Sequence, residues 1–130
     1  MSINKFELQG RVGYIDIQYA ENQAQNKVTI YTKINLGIKK AEGASDNDAK
    51  NWDNVFITFF NTSKSNVAER LAETVKKGDY IRCVGKITEN RYKITTAAGE
   101  EKEKSEIQLT GSGFKKQIYD EMQQGWIDVN

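Results

Sequence analysis

Residues 52–87 read WDNVFITFFNTSKSNVAERLAETVKKGDYIRCVGKI, a strand, a helix and a second strand in close succession. Within residues 52–60, Val55, Ile57 and Phe59 share one parity, while Trp52, Asn54, Phe56, Thr58 and Phe60 share the other. Successive side chains of a strand point to opposite faces, so the first set makes a core face and the second carries its aromatics away from it. In the helix, Val67, Ala68, Leu71, Ala72 and Val75 follow the spacing of one apolar stripe. Such a stripe suits a helix that seals the end of a barrel. Asn66 with Glu69 predicts a capping box, and Lys76, Lys77 and Gly78 predict a positively charged end with a C-cap glycine. In the strand at residues 80–87, Cys83 shares parity with Ile81 and Ile87 and reads as a buried small hydrophobe, not a reactive thiol.

Before this block lie two more strand-like runs. The first, residues 6–17, is interrupted by Gly10 and Gly13, as expected where a strand bends at a barrel corner to serve two sheets. The second, residues 28–36, alternates Val28, Ile30, Ile34 and Leu36 with Thr29, Tyr31, Lys33 and Asn35. Residues 40–51, rich in Ala, Gly, Ser, Asp and Asn, read as a solvated loop. After residue 87 come a run at 91–96, a polar hairpin tip at 97–104 and a last strand at 106–110. Glu100, Glu101, Lys102, Glu103 and Lys104 make a mixed-charge tip, which is either simply solvated or long enough to reach DNA or a neighbouring barrel. Three strands, a helix and two strands is the order of the five-stranded OB-fold, a Greek-key barrel. The expected class is therefore all-β with one helix, between strands three and four. Residues 1–114 would form this domain and residues 115–130 a short C-terminal segment, packed on the barrel or frayed.

Composition narrows the function. A chain of 130 residues fits one domain that buries about two-thirds of its unfolded surface without metals or disulfides. Net charge is +1, so a polyanion site must come from local clustering of cations and not from an overall basic chain. There is no histidine and one cysteine, which excludes His-dependent catalysis, His metal ligands and a structural zinc site. Gly85-Lys86 is followed by Ile87 where a phosphate loop requires Ser or Thr, and Gly111-Ser112-Gly113 lacks the third glycine of a dinucleotide site. No cofactor and no metal are expected, and the chain does not read as an enzyme. The opening MSINKFELQG has no apolar leader core and no stretch has the length of a membrane span, so a cytoplasmic protein without a membrane partner is expected.

The off-core aromatics carry the functional argument. Trp52, Phe56 and Phe60 are costly to display to water alone; a subunit interface or a covering loop would hide them, and so would bases stacked on them. Tyr31 and Lys33 share the non-core parity of the second strand, and the last two strands add Arg82, Lys86, Arg91, Tyr92 and Lys93. Aromatics interleaved with cations fit a groove for a single nucleic-acid strand.

The sequence also resembles the bacterial and phage type of single-stranded DNA-binding protein. Residues 4–13, NKFELQGRVG, are similar to the family's opening strand; VAERL at 67–71 with VKKGD at 75–79 is similar to its helix and exit, and VGKI at 84–87 to its fourth strand. The resemblance implies an OB-fold, binding of single-stranded DNA with little sequence preference, and a homotetramer, or a dimer as in phage versions. It places Phe60 and Tyr92 on stacking aromatics and Arg91 on a basic position. Trp52 stands two residues before the family's aromatic, where this chain has Asn54, and Leu36 and Ile38 occupy the region of another stacking tryptophan, for which Tyr31 is a substitute. The family's long tail with an acidic tip has only a faint echo in Trp126, Ile127 and Asp128, which fits a tailless version from a phage or mobile element.

The expected function is sequence-nonspecific binding and protection of single-stranded DNA in replication, recombination or repair, with replication or recombination proteins as further partners. The alternatives are an OB-fold module that assembles proteins of a replication complex, and a small OB-fold nuclease. Phe6 and Leu8 on the first strand, with Tyr80 and Val84 on the fourth, are expected as apolar surface that a single barrel cannot hide and that a homo-oligomer would close.

Overall fold

The computed structural model describes residues 3–129 apart from 23, 25 and 42–47. In chain order the elements are β1 (Phe6–Asn22), β2 (Lys27–Lys39), a single 3-10 turn at Ala49–Asn51, β3 (Trp52–Phe60), α1 (Val67–Thr74), β4 (Tyr80–Thr95), β5 (Glu101–Asp120) and β6 (Gly125–Asp128). The strands hydrogen-bond in the order β3-β2-β1-β4-β5-β6. A parallel pairing of β3 with β5, Ile57 opposite Leu109 and Phe59 opposite Gly111, closes β1 to β5 into a barrel. No helix is long and apolar enough to cross a membrane.

β1 serves two sheets, as its glycines imply. It pairs with β4 from Phe6 to Arg11 and with β2 from Arg11 to Asn22, and the register slips between Val12 and Tyr14, so Gly13 is the extra residue of a bulge. At the same corner the chains touch: a Cβ on Gly10 would lie 2.2 Å from the carbonyl oxygen of Gly37. A second close approach seats the Phe59 ring on Gly111, where a Cβ would lie 2.2 Å from Phe59 Cε2.

The core follows the parity reading in the middle of β2, β3 and β4, but Val28 and Ile87, which share the core parity, are exposed where β2 and β4 run past the barrel. Ile34, Leu36, Ile57, Phe59, Ile81 and Cys83 are buried, and Val67, Ala68, Leu71 and Val75 bring the apolar stripe of α1 against one end. Burial pushes the Cys83 thiol up to about 12. Thr32, buried among them, donates its hydroxyl to the Ala68 carbonyl at 2.7 Å, which ties helix to barrel.

Several expectations are corrected. Asn66 makes no side-chain cap. Asn61, at the exit of β3, does so from outside the helix: its Oδ1 accepts from the N–H groups of Ala68 (2.9 Å) and Glu69 (3.3 Å), and its Nδ2 donates to Glu69 Oε1 at 2.8 Å. The helix ends at Thr74 with Val75 as cap, ahead of Lys76 and Lys77. Gly78, at φ +97°, instead makes the turn into β4, donating its N–H to the Val12 carbonyl at 2.7 Å. Phe6 is buried in the core and Leu8 packs partly buried against it, because the even-numbered side of β1 faces the barrel interior. Tyr80 and Val84 are half-buried.

The strands are longer than the apolar runs suggest. β4 continues through Thr88, Glu89 and Asn90, which pair with Gln108, Ile107 and Glu106, and the hairpin connection shrinks to residues 96–100. This ribbon projects beyond the barrel with both faces wet, so its ladder persists without a hydrophobic alternation to announce it. Of the loop expected at 40–51, residues 42–47 lie outside the described residues, and Ala49–Asn51 form the 3-10 turn. β5 runs on to Asp120, and β6 pairs back along it, Ile118 opposite Ile127 and Tyr119 opposite Trp126.

Candidate nucleic-acid interface

The outward sides of β1, β2 and β3 form one curved surface, and the register sets its rows. Lys39 stands opposite Trp52, Gly37 opposite Asn54, Asn35 opposite Phe56, Lys33 opposite Thr58 and Tyr31 opposite Phe60. From β1, Arg11 joins the Gly37 row, Tyr14 the Asn35 row, Asp16 the Lys33 row and Gln18 the Tyr31 row. The bulge at Gly13 is what lets Arg11 and Tyr14, of opposite parity, share this face. At about 3.3 Å per residue, Trp52, Phe56 and Phe60 repeat every ~13 Å along β3.

Trp52 and Phe60 each have their own support. Trp52 lies over the bare backbone of Gly37, whose Cβ would sit 3.3 Å from ring atom Cε3, with Arg11 Cζ 5.1 Å and Lys39 Nζ 5.8 Å from the ring centroid. These cations are held against an aromatic face, an arrangement that also presents positive charge to a phosphate. Phe60 and Tyr31 meet with centroids 5.8 Å apart and planes tilted by 39°. Among the described residues Phe56 has no such neighbour, and it is 58% exposed. Partial burial, reinforced by the Asp16 carboxylate beside it, raises the Tyr14 hydroxyl above its usual range.

The sequence-predicted residues divide into groups. Trp52, Phe56, Phe60, Tyr31 and Lys33 share the β2–β3 surface. Lys33, Phe56 and Thr58 open onto a cavity of about 340 Å³ whose far wall is Glu106, Ile107 and Gln108 of β5. Lys86 stands opposite Thr110, itself beside Thr58, so it borders the same surface across β5. Tyr92 and Arg91 are adjacent and therefore on opposite sides of the β4–β5 ribbon, Tyr92 opposite Lys104 and Arg91 opposite Ser105. Arg91 ion-pairs with Glu89 on its own side.

Arg82 is set apart from all of these. Its guanidinium donates to the Asp128 carboxylate of β6, Nη2 to Oδ2 at 2.5 Å and Nε to Oδ1 at 3.2 Å, and lies 3.6 Å from Glu7. The bonds from Arg82 and from Gln117 (3.0 Å) hold the Asp128 carboxyl at about 2. Sequence reasoning passed over Arg11 and Tyr14, whose signal was the glycine-marked bulge, and Lys39, which continues the parity of Tyr31 and Lys33 beyond the apolar run at 28–36. It also passed over the carboxylates Asp16 and Glu106, which reach this face.

No family model and no curated protein matches the chain. Among solved structures, a crystal structure of the mitochondrial single-stranded DNA binding protein Rim1 from S. cerevisiae superposes with a TM-score of 0.53 at 19% identity, covering 89% of this chain and 96% of that one. Its selenomethionine-labelled form superposes with a TM-score of 0.51, at the same identity and coverage. The fold is an OB barrel. In OB barrels the face of strands two and three, with the loops joining strands one to two and four to five, is where oligonucleotides and oligosaccharides bind. Here that face is the one carrying Trp52, Phe56, Phe60, Tyr31 and Lys33. Among the described residues, no group of three or more His, Cys, Asp or Glu side chains is placed to hold a metal ion.

Proposed function

We propose that this chain binds single-stranded DNA with little sequence preference, protecting it during replication, recombination or repair. The observation that carries the reading is the row of Trp52, Phe56 and Phe60 along the outer face of β3, flanked by Arg11, Lys33 and Lys39. Each base stacked on such a ring contributes roughly 1–3 kcal/mol and needs no particular identity, because every base has a π-face. The neighbouring cations neutralise phosphates and release counterions. The likeness to a protein described as single-stranded DNA binding supports the same reading. The setting is cytoplasmic in this proposal, in keeping with a lone thiol, Cys83, held inside the barrel, and the working form is a homo-oligomer, a tetramer or a dimer.

Titration of labelled oligo-dT tests it. Binding should weaken as salt rises, with log K falling by about 0.7 per phosphate neutralised for each unit of log salt, alike for every base composition. Absence of binding at tens of micromolar protein would overturn the proposal and favour a module that assembles proteins. Affinity confined to particular sequences would contradict the stacking mechanism.

A further inference from the structure

Next to the β2–β3 surface lies a larger opening that its residues do not explain. A cleft of about 830 Å³ is lined by Gln9, Lys39, Tyr80, Tyr119, Gln124 and Trp126, with Ile38 and Gly125 completing the wall and no carboxylate among them. Tyr80 and Trp126 stack with centroids 3.8 Å apart and planes within 10°, and Tyr119 meets Trp126 edge-on at 5.6 Å. β6 is held in place to build this wall by the Arg82–Asp128 and Gln117–Asp128 bonds. Yet Tyr119 remains 52% exposed and Trp126 36%.

The position is as informative as the composition. Lys39 belongs to both sites: its ammonium is 5.8 Å from the Trp52 ring and its side chain lines the cleft. Arg11 pairs with Tyr80 on one side and with Gly37 on the other, so it stands between them. From β3 to β4 the sheet takes three strand steps, about 14 Å. Trp52 lies two residues, ~7 Å, beyond the row of Asn54, Gly37, Arg11 and Tyr80, so the diagonal from Trp52 to Tyr80 is about 16 Å, comparable with the ~13 Å between successive aromatics on β3. A chain of nucleotides leaving Trp52 over Lys39 and Arg11 therefore meets its next aromatic at a comparable interval.

We propose that this cleft is a second base-stacking subsite for the same single strand, supplied by the C-terminal strand β6. The proposal rests on the reading of the β2–β3 face as a strand-binding surface. The test uses the full chain and oligo-dT of two lengths, about five nucleotides to fill the β3 row and about twelve to reach the cleft, within the range one OB-fold accommodates. Tyr119→Ala and Trp126→Ala should each weaken the long oligomer by about tenfold and leave the short one within about twofold, whereas Phe56→Ala should weaken both. Trp126→Ala removes the partner of Tyr80, but Tyr119→Ala keeps that stack and the Asp128 bonds. Photo-crosslinking of the unsubstituted protein to bromodeoxyuridine oligomers needs no variant at all: adducts at Trp126 or Tyr119 should form with the long strand and not the short. If Phe56→Ala weakens both lengths while the cleft variants and the crosslinks show nothing, the subsite is wrong and the β3 surface stands. Failure of the unsubstituted protein to bind either length overturns both. Should Trp126→Ala instead dissociate an oligomer and weaken both lengths equally, the cleft is a seam between copies and the proposal fails.

Discussion

Phe56 and Phe59 differ by three positions and by everything that surrounds them. Phe59 is fully buried, its ring seated on Gly111 and edge-on to Phe114 with centroids 6.3 Å apart. Phe56 stands more than half exposed on the opposite side of the same strand. Phe59→Ala should therefore cost about 3–5 kcal/mol of stability through the cavity it leaves. Phe56→Ala should change stability by no more than about 0.5 kcal/mol and weaken oligo-dT binding by roughly 1–3 kcal/mol. Chemical denaturation and anisotropy on the same two variants separate the outcomes; a Phe56→Ala protein that unfolds early but binds normally would invert the face assignment. Strand parity made this pair legible from the sequence. It did not reveal Arg11, because the bulge at Gly13 changes which parity points outward.

At the scale of elements, two anchors come from outside the element they hold. Asn61 caps α1 from the end of β3, so Asn61→Ala should destabilise the protein by about 1–2 kcal/mol while Asn66→Ala changes little, measured by thermal or urea unfolding. The second anchor is Asp128, which ties β6 to Arg82. Its carboxyl is depressed to about 2 in the folded chain against an ordinary value near 3.8. A depressed carboxyl contributes stability that is present above the unfolded value and lost as pH falls through the folded one. The stability difference between the natural chain and Asp128→Asn should thus be constant above about pH 5 and close between about pH 4 and pH 2. A difference that persisted at pH 2 would show that the contact is not ionic. Neither anchor is readable from local sequence, since Asn61 sits seven residues before the N–H it accepts from and Arg82 is 46 residues from Asp128.

At the scale of the whole molecule, the apolar surface left uncovered is not the surface the sequence suggested. Phe6 and Leu8 fill the interior, whereas Ile107 is 70% exposed on β5 and Ile118 is 55% exposed beside β6. Residues 6–10 of β1 pair with β4 alone among the described residues, which leaves one edge of that strand without a ladder partner there, the kind of edge the proposed homo-oligomer would close. Sedimentation at low micromolar concentration should accordingly show two or four times the 14.8 kDa of one chain. A species at the single-chain mass, unchanged by oligo-dT, would refute the oligomer. The order of strands and helix, the core of β2, β3 and α1 and the aromatic row of β3 were determined by the sequence alone, because each depends on periodicities of two or 3.6 residues that local chemistry displays. The closure of β3 against β5, the length of the β4–β5 ribbon and the capture of Arg82 by Asp128 were decided only in three dimensions. The first and the last rest on a backbone ladder and an ion pair between residues distant in sequence, the ribbon on a ladder wet on both faces, and none of these leaves a periodic trace along the chain.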